Sequence, residues 1–137
     1  MSVLLSRTLL PLLGLLLLTG CLSLQEREMQ KQLEKTLRDY EMTLRWGYLQ
    51  HLGNFLAPGA QPATPPTAEE LKNIRITGYE LMRPPVFLDT NHATQTVMIH
   101  YVFEDRQVER QLMDQQLWSY DPETERWNRA NPIPNLK

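Results

Sequence analysis

The sequence predicts an α+β fold, a long N-terminal helix packed on a roughly four-stranded antiparallel meander sheet. Two patterns predict it. Apolar residues recur at helical spacing through residues 25–56, and residues 74–129 then carry alternating runs separated by turn-forming residues. A third observation bounds the answer: the chain of 137 residues suits one domain, and its single cysteine allows no internal disulfide. The core alone must hold the fold, and a helix laid across a curved sheet covers both apolar faces economically.

In the first 20 residues Arg7 is the one charged side chain, and a Leu-rich run over residues 9–18 is interrupted by Pro11 and Gly14. Such a run suits an export signal and falls short of the ~20 apolar residues needed to span a bilayer. It closes on Leu18-Thr19-Gly20-Cys21, with the cysteine in register with its end. This ending resembles the lipobox of bacterial lipoprotein precursors. The resemblance implies a signal peptide of residues 1–20, cleavage between Gly20 and Cys21, and a lipid anchor on Cys21: a thioether-linked diacylglycerol and an acyl chain, such as palmitate, on the new amino group. One acyl chain holds only marginally, whereas two or more hold stably, at about 0.8 kcal/mol per buried CH₂. Leu22 stands at +2, where the retention signal of enteric bacteria has Asp. The expected place is therefore the outer membrane, facing the periplasm.

Met29, Leu33, Leu37, Tyr40, Leu44, Tyr48, Leu52 and Phe55 follow steps of three and four, the period of an amphipathic helix. Charged residues fill the gaps, with Glu34 and Arg38, and Glu41 and Arg45, at acid-before-base i,i+4 spacing. Met42, Trp46, Leu49 and Leu56 add a second apolar line. Gly47 and Gly53 weaken the helix, so a bend is expected near Trp46-Gly47 and an end by Ala57. Its first polar turns would serve as a stalk.

Residues 57–66 hold four prolines and a glycine and read as a loop. Thr67 and Glu70 then fit a capping box for a short helix through Lys72. The first strand-like run covers residues 74–83, is broken by Pro84-Pro85, where it is expected to bulge or end, and resumes at Val86-Phe87-Leu88. The second covers residues 94–104. The third, residues 107–120, sets Arg110, Asp114 and Gln116 on the same parity as Val108, Leu112, Trp118 and Tyr120, so it is expected to be partly buried or bulged. A short strand at 126–129 carries Trp127, and residues 131–137 form a tail after a domain spanning 21–130.

Three pieces carry a second resemblance: Tyr40 to Leu44-Arg45-Trp46-Gly47 ending at Phe55-Leu56-Ala57-Pro58, the pair of long strands, and Gln116-Leu117-Trp118-Ser119-Tyr120 followed by a turn and Trp127. Together they resemble small bacterial lipoproteins with an NTF2-like or cystatin-like fold. Enzymes of that fold use an acid/base pair inside the cone, which the resemblance would place among Asp39, Tyr40 and Asp114.

Lys and Arg number 14 against 16 Asp and Glu, without the basic stripe that phosphate backbones require, which excludes a nucleic-acid binder. His51, His92 and His100 stand at no metal-ligand spacing, no Gly-rich phosphate loop occurs, and no nucleophile motif is present. No cofactor, metal or enzymatic activity is therefore expected. The reading is a protein-interaction or accessory module of the cell envelope, with an envelope protein as partner and Trp46, Trp118 and Trp127 as candidate surface. The alternative is a binder of small hydrophobic ligands, with Trp46 and Trp118 lining an aromatic pocket between helix and sheet.

Overall fold

The computed structural model describes residues 6–137, with side chains from residue 23 onward. The signal-peptide, cleavage and lipid-attachment expectations, on residues 1–20, Gly20 and Cys21, lie outside the residues so described. The chain divides into two compact units, residues 1–34 and 35–137. The first is a length of the helix α1, Ser6–Arg45, in which Gln30 Nε2 donates to Glu34 Oε1 at 3.2 Å. Among the described residues no helix is long and apolar enough to cross a membrane.

The second unit opens with the last turns of α1. Leu37, Tyr40 and Leu44 keep the helical period and are buried, while Lys35–Asp39 at 2.6 Å and Arg45–Glu41 at 3.1 Å lie on the exposed side. The helix ends at Arg45, not near Leu56. Gly47 explains the early stop. It sits at φ +78°, its N–H donates to Leu44 O at 3.3 Å, and Tyr48 N–H donates to Thr43 O at 3.1 Å. This is the Schellman closure, in which a left-handed residue turns the chain back to satisfy the last carbonyls. A 3-10 helix, Leu49–Phe55, follows and buries Leu49 and Leu52.

The capping box forms as its spacing predicts. Thr67 Oγ1 accepts from Glu70 N–H at 3.2 Å, and Glu70 Oε2 accepts from Thr67 N–H at 2.7 Å, which starts α2, Ala68–Lys72. The sheet is an antiparallel meander of β1 (Ile74–Asp89), β2 (His92–Phe103), β3 (Val108–Asp121) and β4 (Arg126–Arg129), in that order.

At Pro84-Pro85 the first strand is irregular, as expected, but does not end. β1 runs through it, with register shifts between Leu81/Arg83 and Arg83/Val86. An edge strand tolerates this because a proline there forfeits no ladder bond on its open side. Of the two expectations for the third strand, partial burial holds and a bulge against β2 does not, since it pairs residue by residue from Phe103↔Val108 to His92↔Ser119.

One sheet face gathers Val97, Ile99 and Tyr101 of β2 with Asp114, Gln116 and Trp118 of β3, all buried. Strands lie about 4.8 Å apart, so β1 and β4 in a flat sheet would be about 14 Å apart. Yet Phe87 of β1 and Trp127 of β4 meet edge-to-face at 5.8 Å between ring centroids. The sheet therefore curls, and long aromatic side chains close the remaining gap. Residues 131–137 have no regular structure but are held down. Asn131 Oδ1 accepts from Leu117 N–H at 2.9 Å, its Nδ2 donates to Gln115 O at 2.7 Å, and Tyr101 OH donates to Lys137 O at 2.8 Å.

Candidate functional site

The most unusual chemistry lies inside the curl. Arg129 of β4 is 1% exposed. A guanidinium has five N–H donors and no acceptor, and here every donor is engaged. Nη2 donates to Asp114 Oδ1 at 2.6 Å and to Pro132 O at 3.0 Å. Nη1 donates to Asp114 Oδ2 at 2.9 Å and to Tyr40 OH at 2.8 Å. Nε donates to Asn131 O at 3.1 Å. One side chain thus ties the end of α1, the middle of β3 and the C-terminal segment together.

The network continues from Asp114. Gln116 Nε2 donates to Asp114 Oδ2 at 2.9 Å and to Tyr79 OH at 3.2 Å. Gln116 Oε1 accepts from Gln95 Nε2 at 2.7 Å and from the Trp118 indole at 3.2 Å. Gln95 Nε2 also donates to Tyr79 OH at 3.3 Å. Burial works against the charge on Arg129, but its bonds to Asp114 and Tyr40 outweigh that and hold its pKa above the ordinary value. Burial pushes the Tyr40 phenol well above its usual range despite the opposing pull of Arg129. Burial also pushes Tyr79 up to about 12, against the Gln116 hydrogen bond that lowers it.

What this constellation can do is limited by how completely it is satisfied. Tyr40 and Asp114, two acid/base candidates, are brought together, but both are spent on Arg129 and both are buried. Asp39 stays on the outer side, in its ion pair with Lys35. The three tryptophans form no common surface. Trp118 is 1% exposed and packs edge-on against Tyr40 at 5.5 Å. Trp127 is 3% exposed and sits between Phe87 and Tyr120. Trp46, 74% exposed, stands just past the end of α1. Among the histidines, His92 Nδ1 lies 2.8 Å from Asp89 and His100 Nε2 lies 3.6 Å from Glu80. No group of His, Cys, Asp and Glu among the described residues could hold a metal ion.

Sequence reasoning passed over Arg129, Gln95 and Gln116 as partners. The signal was there in the third run: a carboxylate on the apolar parity of a strand asks for a buried cation. Arg129 shares the parity of Trp127 on the neighbouring strand, the position from which it can answer.

Two surface features remain. On β1, an edge strand, Leu81, Met82, Val86, Phe87 and Leu88 are 41–60% exposed. Separately, a cleft of ≈ 920 Å³ opens between the 3-10 helix, the Pro-rich loop, the start of β1, the end of β2 and the C-terminal segment. Leu49, Leu52, Leu56, Ile74, Phe103 and Leu136 are among its apolar walls, and Glu70, Arg106 and Lys137 are its charged residues. Neither Trp46 nor Trp118 lines it.

No family model, curated protein or solved structure matches this chain.

Proposed function

We propose that this protein is a lipid-anchored accessory module of the bacterial cell envelope, which binds an envelope protein through the open edge of β1. The observation that carries the reading is the run of exposed apolar side chains at Leu81, Met82, Val86, Phe87 and Leu88 on a strand with no neighbour on one side. Exposed apolar groups clustered at one place mark interaction surfaces. An unpaired edge offers main-chain donors and acceptors to an added strand, while the side chains select it. Pro84 and Pro85 guard this edge against indiscriminate pairing, since neither can donate.

The anchor is read from the lipobox at Leu18-Thr19-Gly20-Cys21, and Leu22 at +2 favours the outer membrane, facing the periplasm. An NTF2-like or cystatin-like family is the finer fold reading, supported by the helix followed by a curled antiparallel meander. A binding rather than enzymatic role is supported by the engagement of Tyr40 and Asp114 with Arg129.

Co-purification from solubilised membranes tests the role. Wild type is expected to carry a discrete partner that the Val86→Lys/Leu88→Lys variant loses, with both proteins folded. Equal recovery with the variant would refute the edge as the binding surface.

A further inference from the structure

The outer face of the sheet, away from the curl, brings two thioethers and an imidazole together. Successive strand residues point to opposite faces. Met98 and His100 of β2 therefore face away from Val97, Ile99 and Tyr101, and Met113 of β3 faces away from Asp114. Met98 and Met113 are direct cross-strand partners, so their Cβ atoms lie about 4.5–5.5 Å apart. His100 is the diagonal neighbour of Met113, about 7–8 Å away and within reach of long side chains. These spans let two flexible thioether arms and one imidazole converge on a single ion.

The donors are available. Met113 is 54% exposed, so burial rewards its sulfur little where it stands. His100 packs over Gly78, where a Cβ would meet His100 Cδ2 at 3.2 Å. Its Nε2 lies 3.6 Å from Glu80 Oε2, too long for a hydrogen bond. Glu80 is the partner of Met98 across β1 and β2, so the imidazole nitrogen leans back towards the row Glu80, Met98, Met113. His, Cys, Asp and Glu alone assemble no metal site among the described residues; the two thioethers complete this one. Imidazole and carboxylate serve many cations, but thioether sulfur selects Cu(I). Two neutral sulfurs and a neutral nitrogen beside one carboxylate also match a monovalent ion in charge. We propose that this face binds one Cu(I) ion through Met98 Sδ, Met113 Sδ and His100 Nε2, with Glu80 balancing its charge.

The test uses the full chain in detergent micelles under anaerobic conditions, with Cys21→Ser removing its one thiol. Its methionines carry isotope-labelled methyl groups. Cu(I), supplied as its acetonitrile complex, is diamagnetic and shifts the NMR signal of a coordinating methionine without erasing it. The Met98 and Met113 signals are expected to move together and to stop moving at one ion per chain. Met42, 53% exposed on α1, should stay in place. Met113→Leu and His100→Gln are each expected to weaken binding at least about tenfold, with circular dichroism spectra matching that of the parent chain. No movement at Met98 and Met113, equal movement at Met42, or undiminished binding in either variant would overturn the proposal. Equal binding of Zn(II) would assign the site to His100 and Glu80 alone and overturn the thioether ligands.

Discussion

At the scale of single residues, Arg129 decides how the interior is built. A buried charge is tolerated only when it is paired and its remaining donors are used, and Asp114, Tyr40, Asn131 and Pro132 meet that condition together. Asp114→Ala and Arg129→Met should each lower stability by about 3–5 kcal/mol, since each strands a buried partner. In denaturant unfolding the double variant should lose less than the two singles combined, with a coupling of about 0.5–3 kcal/mol. Additive losses would show that the pair does not act as a unit. The tyrosines add a pH signature. The pKa of Tyr79 rises to about 12 in the folded protein from an ordinary 10.0. The unfolded chain therefore releases this proton first, so the stabilisation is complete below pH 10 and is lost as pH climbs towards 12, by up to about 1.4 kcal/mol per pH unit. Tyr79→Phe should flatten this alkaline loss in unfolding curves recorded between pH 9 and 12; an unchanged slope would count against a buried Tyr79 phenol. Part of this was legible beforehand. The parity of β3 put Asp114 and Gln116 beside Trp118, but finding Arg129 required the strand register, which joins Trp118 to Arg129.

At the scale of elements, local chemistry was readable where the controlling residues are neighbours in sequence. The Thr67–Glu70 capping box starts α2 where its spacing requires, and β4 occupies Arg126–Arg129 around Trp127. The end of α1 was misplaced because the apolar period continues through Tyr48, Leu52 and Phe55, and a 3-10 helix can bury the same residues. Gly47 marked the boundary, but a glycine in a periodic run reads equally as a bend, and only its φ of +78° shows it to be a stop. Gly47→Ala should cost about 1 kcal/mol, for the left-handed conformation and not for space, since a Cβ there meets nothing within 4 Å. A shift in denaturation midpoint without a change in slope would confirm it, and no shift would remove Gly47 as the helix stop. The prolines of β1 imply a bulge or an end, and sequence alone does not decide between them because strand edges are invisible in it; on this outer strand they pass with a change of register.

At the scale of the molecule, the curled sheet turns a satisfied polar network inward, while a run of apolar side chains on β1 lies exposed and a cleft opens beside the 3-10 helix. The pocket expected between Trp46 and Trp118 does not take that form: Trp118 is enclosed by the network, and the open space lies instead beside the 3-10 helix and the C-terminal segment. No pattern in the sequence announces that cleft, because its walls are assembled by contacts between residues 49–74, Phe103, Arg106 and residues 133–137. The reading of function rests on two claims, an anchor at Cys21 and a partner at the β1 edge. Both are tested by site-specific photo-crosslinking in intact cells, followed by membrane fractionation. The account predicts one discrete adduct from position 86, recovered in the outer-membrane fraction and absent from position 109, an exposed residue at the opposite end of the sheet. The adduct should disappear when Leu88 is replaced by Lys. Adducts of equal yield from both positions, or a crosslinked protein recovered in the soluble fraction, would contradict it.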